Sequence, residues 1–193
     1  MLAEEVLTGK RIAVVLAHPD DELLWCGNMI NDIDADWNIL LCSDTAVRRA
    51  DYAPRMTEFA EVCKRLKCKG QYIKGAPDSM DENDFGIDYA HLICSHLDTL
   101  DINIILTHNV NDRHVQHRHV GFAMYLYSSA VGIPMYYTAY DYDLNETVQP
   151  TFTHTNKINP KDDIGKIYQT GIKYQRLLQY KAFTEGIEGF KQI

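Results

Sequence analysis

The stretch Ile12-Ala13-Val14-Val15-Leu16-Ala17-His18-Pro19-Asp20-Asp21-Glu22 passes directly from an apolar, β-branched segment into an imidazole and three carboxylates. A short apolar run bounded by a turn reads as a buried strand. In open α/β sheets ligands bind beyond the carboxyl ends of the strands, so a strand that stops in a polar cluster marks the functional edge. The pattern occurs twice. Ile102 to Leu106 leads into Thr107-His108-Asn109 and then Asp112-Arg113-His114-Val115-Gln116-His117-Arg118-His119, and the two clusters are expected to form one site.

The residue types indicate a metal ion. Borderline-soft zinc accepts imidazole nitrogen and carboxylate oxygen, and a catalytic zinc keeps one of its four positions open, so three protein ligands suffice. Pro19 biases His18 toward an extended conformation and suits the first turn of the helix that Asp20, Asp21 and Glu22 begin. The turn points His18 and Asp21 the same way, and Asp20 hangs over the metal as a proton acceptor for an activated water. His117 is the choice for the third ligand. Taken singly, Asp20 and Glu22 also read as helix-capping acids favoured by the macrodipole. The combination of both clusters is what favours a site.

Outward from these clusters, strand-like and helix-like segments alternate, which predicts one α/β domain over residues 1–193, Rossmann-like, with a mainly parallel sheet flanked by helices. Strands are expected at Arg11 to Ala17, Trp37 to Ser43, Gln71 to Lys74, Ile102 to Leu106 and Pro134 to Asp141. Helices are expected from Asp21 to Ile33, Pro54 to Leu66, Tyr89 to Leu100 and Val120 to Val131, with an amphipathic helix from Lys161 to Phe183. The acidic segment Asp78 to Asp88 lacks the ligand order of an EF-hand and reads as a solvated loop. Asn145 to Pro160, with its prolines, reads as a long connection able to fold over the site as a lid. Arg48 and Arg49 follow the second strand, where they either meet a phosphate on a substrate or form an exposed charged loop. Tyr140 and Tyr142 end the fifth strand, placed to stack on a sugar or simply to pack.

Composition narrows the class. With 193 residues, 46% of them hydrophobic, the chain has enough for one real core and no room for a second. Its 19 basic against 27 acidic residues give a formal charge of −8, which argues against a general nucleic-acid or anionic-membrane binder. The N-terminus lacks the pattern of a signal peptide. No apolar run approaches the roughly 20 residues needed to span a bilayer. Cysteines 26, 42, 63, 68 and 94 show neither zinc-finger nor CxxC spacing and read as buried thiols, so a cytoplasmic location is expected.

Together the two clusters resemble the zinc-dependent de-N-acetylases of the PIG-L or LmbE type, marked by an AHPDDE motif and a later HxDH-type motif. Ala17 to Glu22 reproduces the first without a mismatch, and Thr107-His108 followed by His114-Val115-Gln116-His117-Arg118 follows the second in order and spacing. Beyond about Gly132 the resemblance rests on general layout. It implies His18, Asp21 and His117 as zinc ligands, Asp20 as general base and His114 as electrostatic partner, with Arg55 and Glu58 matching the family's arginine and glutamate pair. It also implies one Zn2+ per chain, Fe2+ being the other candidate, and a small-molecule substrate: the N-acetyl group of a GlcNAc-type amino sugar or its conjugate. An oligomer is compatible with it.

One position departs from the pattern. Where the family usually has Asp, this chain has Gln116, which cannot supply a charge. Asp112 is therefore expected to take over the task of keeping the His114 imidazole positioned and protonated. The rival readings are a two-metal phosphoesterase, a nucleotidyltransferase using His114 and His117 as a phosphate-binding turn, and a metal-binding domain without catalysis.

Overall fold

Side chains alternate along a strand, and β1 (Arg11–Leu16) uses both faces: Ile12, Val14 and Leu16 enter one apolar core, Ala13 and Val15 another. The computed structural model describes residues 1–48, 50–140, 145, 148–155, 161–170 and 174–193. Six further strands, β2 (Asp36–Leu41), β3 (Lys69–Tyr72), β4 (Ile104–Thr107), β5 (Met135–Thr138), β6 (Phe152–Thr155) and β7 (Ile187–Gln192), complete a sheet in the order β3-β2-β1-β4-β5-β7-β6. β1 to β5 run parallel, whereas β7 is antiparallel to both β5 and β6. The expected α/β architecture with a mainly parallel sheet is therefore what forms.

Helices cover both faces. On one side α1 (Ala3–Leu7), α2 (Asp21–Asp32) and α4 (Pro54–Leu66) bury residues such as Leu7, Leu23, Met29, Phe59 and Val62 against β1 and β2. α3 (Thr45–Arg48) is a single turn on the loop between β2 and α4. On the other side α5 (Ile87–Leu97) and α6 (Val115–Val131) bury Ile93, Leu97, Val120 and Met124. Full burial of each aliphatic side chain contributes about 1.5–3 kcal/mol, so the two cores dominate the stability. No helix among the described residues is long and apolar enough to cross a membrane.

The carboxyl-terminal third departs from expectation. In place of one helix from Lys161 to Phe183 there are three short ones, α7 (Lys161–Gly165), α8 (Tyr174–Leu177) and α9 (Lys181–Thr184). A Cβ on Gly165 would stand 2.5 Å from the Phe183 ring. In a straight helix these two residues would lie about 27 Å apart, so the chain must double back. β6 occupies part of the segment expected as a lid, and β7 is a strand that the sequence pattern does not predict; both carry a polar residue on a core-facing position. His154 of β6 sits between Glu4 Oε1 at 3.0 Å and Asp32 Oδ2 at 2.9 Å. Glu188 of β7 is fully buried against Lys161, Nζ to Oε1 2.6 Å, and accepts the backbone N–H groups of Asn28 and Met29 at 2.9 Å. Such residues erase the apolar alternation by which a strand is recognised. Helix α6 also begins five residues earlier than expected, at Val115 instead of Val120.

Lys161 donates to the Leu24 carbonyl as well, at 3.0 Å, so the pair pins α7 and β7 to α2. Removing one member strands the other charge. Lys161→Met is expected to lower stability by about 3–5 kcal/mol, read as the urea midpoint by far-UV circular dichroism, and Lys161→Met with Glu188→Leu to recover most of it. An unchanged midpoint in the single variant would contradict this role.

Candidate active site

β1 ends at Leu16 and α2 starts at Asp21; the four residues between them are turned sharply by Asp20, whose φ of 100° and ψ of −26° lie in the left-handed region. A non-glycine residue there is strained, by about 1–3 kcal/mol, and persists only when its surroundings enforce it. Three contacts do so. The Asp20 backbone N–H donates to Glu22 Oε2 at 3.0 Å, and Arg55 Nη2 donates to the Pro19 carbonyl at 2.6 Å and to Asp20 Oδ2 at 2.8 Å. Glu22 is in turn held by the hydroxyl of buried Tyr168, which donates to Oε1 at 2.5 Å. Burial raises the Glu22 carboxyl to about 7, against the lowering effect of the Tyr168 hydrogen bond. Burial also pushes Asp20 well above the usual carboxylate range, opposed by the Arg55 guanidinium.

The same turn brings His18 and Asp21 together, as the sequence suggested: His18 Nδ1 lies 3.5 Å from Asp21 Oδ2, which also accepts the His18 backbone N–H at 2.8 Å. From the neighbouring strand β4 the chain passes through His108 and Asn109 to His114, which caps α6, so that His117 falls in its first turn. Gly121 lets α6 approach closely, since a Cβ there would meet the His108 carbonyl oxygen at 2.5 Å. His117 Nε2 thereby reaches 3.2 Å from His18 Nδ1 and 3.4 Å from Asp21 Oδ2.

These three donor atoms form a nearly equilateral triangle with edges of 3.2, 3.4 and 3.5 Å. Zinc bonds of about 2.0–2.2 Å at tetrahedral angles require ligand atoms about 3.3–3.5 Å apart, so the donor set fits that ion. His117 carries a charged partner behind it, Asp112 Oδ2 at 3.2 Å from Nδ1. Burial disfavours a charged His117, yet facing Asp21 and Asp112 raise it to about 10. Burial likewise opposes charge on Asp21, but the facing His117 cation holds it well below the usual range.

Three sequence-based expectations change. Asp112 does not serve the His114 ring: one oxygen faces His117 and the other accepts the His114 backbone N–H at 2.8 Å. The His114 ring, with Nδ1 buried and unpartnered among the described residues, is pushed down to about 3 by burial and by the neighbouring His117 and His18, so it is neutral in this state. Glu58 is not among the described residues that line the cavity over the site, and it accepts the backbone N–H groups of Gln169 and Thr170 at 3.2 and 3.3 Å. Arg49 and Tyr142 lie outside the described residues.

His108, to which the motif reading assigns no role, stands at the centre of the site. Its ring stacks on His117 at 3.7 Å between centroids and 6° between planes. It forms a second donor group with Asp21 and His117, its Nε2 3.2 Å from Asp21 Oδ2. The Ala17 backbone N–H donates to that same nitrogen at 3.0 Å, so its lone pair is committed and His108 packs behind the donor triangle instead of joining it. Burial and the nearby His117 cation lower it to about 4, consistent with a neutral ring.

A cavity of about 510 Å³ opens over the site, lined by His18, Asp20, Asp21, His114 and His117 together with Arg48, Tyr52, Arg55, Asp78, Arg113, Arg176 and Tyr180. Tyr52, Asp78, Arg113, Arg176 and Tyr180 carry no motif signal; only the fold assembles them.

The sequence model of the PIG-L family, described as GlcNAc-PI de-N-acetylase, matches residues 13–127, more than half of the chain. The chain belongs to the PIG-L family. Its members are deacetylases, hydrolases of N-acetyl amides, and both motif clusters described above fall inside the matched region. Among solved structures, the conserved protein TT1542 from Thermus thermophilus superposes with a TM-score of 0.71 at 17% identity, covering 94% of each chain. N,N'-diacetylchitobiose deacetylase from Pyrococcus horikoshii, complexed with its inhibitor MPG, gives 0.67 at 14% identity over 95% of this chain and 84% of that one. A triple mutant of a deacetylase in the teicoplanin biosynthetic pathway gives 0.59 at 16% identity, over 89% and 82%. At these identities the likeness is one of fold. Comparison with curated proteins finds no significant match.

Because Asp112 orients His117 through Nδ1, Asp112→Asn is expected to weaken zinc affinity about 10–100-fold in a chelator-competition titration. Unaltered affinity would show that the contact contributes nothing to the metal site.

Proposed function

We propose that this PIG-L protein is a zinc-dependent hydrolase that removes the N-acetyl group from a GlcNAc-type amino sugar or its conjugate. The observation that carries the reading is the His18, Asp21 and His117 triangle, matched to zinc, with the strained and buttressed Asp20 beside it. Zinc held there would polarise an amide carbonyl and acidify an attacking water; ferrous iron suits the same donors. Asp20 takes up the proton of that water and returns it to the departing amine. Arg55 fixes one oxygen of the Asp20 carboxylate, which sets the direction of proton transfer. His114, at the amino-terminal end of α6, lines the cavity and offers a ring N–H to the amide oxygen as charge builds there. The products are acetate and a free amine.

A two-metal phosphoesterase is disfavoured by the committed lone pair of His108, which leaves the second donor group without a third ligand. A metal-binding domain without catalysis has no use for a base held in a strained conformation by Arg55 and Glu22.

Besides Arg55, three more arginines line the cavity among the described residues. They are Arg48, Arg113 and Arg176, and no lysine is among the described residues that line it. Planar guanidinium groups suit carboxylate and phosphate oxygens, so the preferred substrate carries an oxyanion beside the acetamido sugar.

Acetate release from N-acetylglucosamine, N,N'-diacetylchitobiose and N-acetylglucosamine 1-phosphate, by zinc-loaded protein, tests both parts. Release is expected to be highest with the phosphate ester and to fall about 100-fold or more in Asp20→Asn. It should vanish after chelation. Absence of acetate from every compound by protein with bound zinc would overturn the deacetylase reading; equal rates for neutral and anionic sugars would overturn only the oxyanion preference.

A further inference from the structure

Gln116 is the residue at which this chain leaves its family's second motif, and it is fully buried beside the donor triangle. Its side-chain amide is oriented without ambiguity. The nitrogen donates toward the Pro77 carbonyl at 2.7 Å, the Cys42 carbonyl at 3.3 Å and the Tyr89 hydroxyl at 3.0 Å. Two of these partners are carbonyls that can only accept, and Tyr89 spends its own proton on the Cys42 carbonyl at 2.8 Å. The amide oxygen must therefore point the other way, and it lies 3.0 Å from His18 Nε2. An oxygen in that place accepts, so His18 carries its proton on Nε2 and turns the bare Nδ1 into the triangle.

We infer that Gln116 is a positioning residue that fixes the tautomer of His18, doing with a neutral amide what Asp112 does with a charge for His117. The two histidines then present opposite ring nitrogens to the metal place, His18 its Nδ1 and His117 its Nε2, and each has its other nitrogen engaged. A carboxylate could not replace Gln116 here. Asp is one carbon shorter, and neither Asp nor Glu has an N–H for the Pro77 and Cys42 carbonyls, which a charged oxygen would instead repel. The amide also ties His18 to the end of β2 through Cys42 and to the acidic loop through Pro77, so the ring is held from outside its own turn. On the same side Asp78 Oδ1 stands 3.8 Å from His18 Nε2, beyond hydrogen-bond range, and does not take the place of the amide oxygen.

The inference rests on His18 being a metal ligand, and the test separates the two claims. Zinc affinity is measured by chelator competition for the full chain and for His18→Ala, Gln116→Leu and Gln116→Glu, with urea unfolding of each metal-free protein as a check on folding. Metal-free protein labelled with 15N-histidine reports the His18 tautomer by NMR. The expected result is a His18 protonated on Nε2 in the parent and a mixture of tautomers in Gln116→Leu. Zinc affinity falls about 10–100-fold in both Gln116 variants, and the cobalt-substituted spectrum shifts. If His18→Ala binds zinc as the parent does, the metal-site reading fails. If His18→Ala loses zinc but both Gln116 variants keep parental affinity and tautomer, Gln116 is only core packing and the inference is overturned. Tyr89→Phe, which removes one acceptor and leaves both carbonyls, serves as the milder variant should the Gln116 replacements unfold; a His18 tautomer in it that is protonated on Nδ1 would equally overturn the inference.

Discussion

The carboxylate of Asp21 is the constraint on which the site depends. Buried at the start of α2, it faces His18 at 3.5 Å, His108 at 3.2 Å and His117 at 3.4 Å, and accepts the His18 backbone N–H at 2.8 Å. A buried carboxylate is costly unless it is paired and hydrogen-bonded. Meeting that requirement brings the end of β1, the end of β4 and the first turn of α6 to one point. The parallel pairing of β1 with β4, Val15 opposite Thr107, is what makes the convergence geometrically available.

Around that point the fold accepts strain and recovers it elsewhere. Asp20 is held left-handed by Glu22 and Arg55, and Glu22 is held by Tyr168 from the carboxyl-terminal segment. The same segment is anchored by Lys161 and Glu188, which contact the backbone of α2 at Leu24, Asn28 and Met29. The last third of the chain contributes no motif, yet it supports the helix that begins with Asp20 as its cap and Asp21 in its first turn. Arg176 and Tyr180, from the same region, reach the cavity wall.

The distribution of charge within the site has a direction. His117 and Asp112 form a charged pair on one side of the triangle, while on the other His18 meets the uncharged amide of Gln116. Asp20 and Arg55 make a second ion pair, at 2.8 Å, alongside. Charges are thus supplied where a partner of opposite sign is buried with them, and the amide takes the position where only carbonyl acceptors surround it.

The alternating α/β layout and both chemical clusters are legible along the chain, because apolar runs ending in His18-Pro-Asp-Asp-Glu22 and in the His114 to His117 segment are local signals. The turn at Pro19 and the sharing of a face by His18 and Asp21 are legible for the same reason: they involve residues close in sequence. Everything that depends on distant partners waits for the folded chain. Glu188 and His154 break the apolar alternation of their strands, and their partners Lys161, Glu4 and Asp32 are distant in sequence, so β6 and β7 stay hidden. Asp112 looks like a partner for the nearby His114, but the helical turn that begins at Val115 brings the His117 ring to it instead. Gln116 looks like a loss of charge; only its contacts with Cys42, Pro77 and Tyr89, supplied by three separate parts of the chain, show which way its amide points. Pairings of buried polar groups are set by which partners the fold makes available, and that information is not carried by the spacing of residues along the chain.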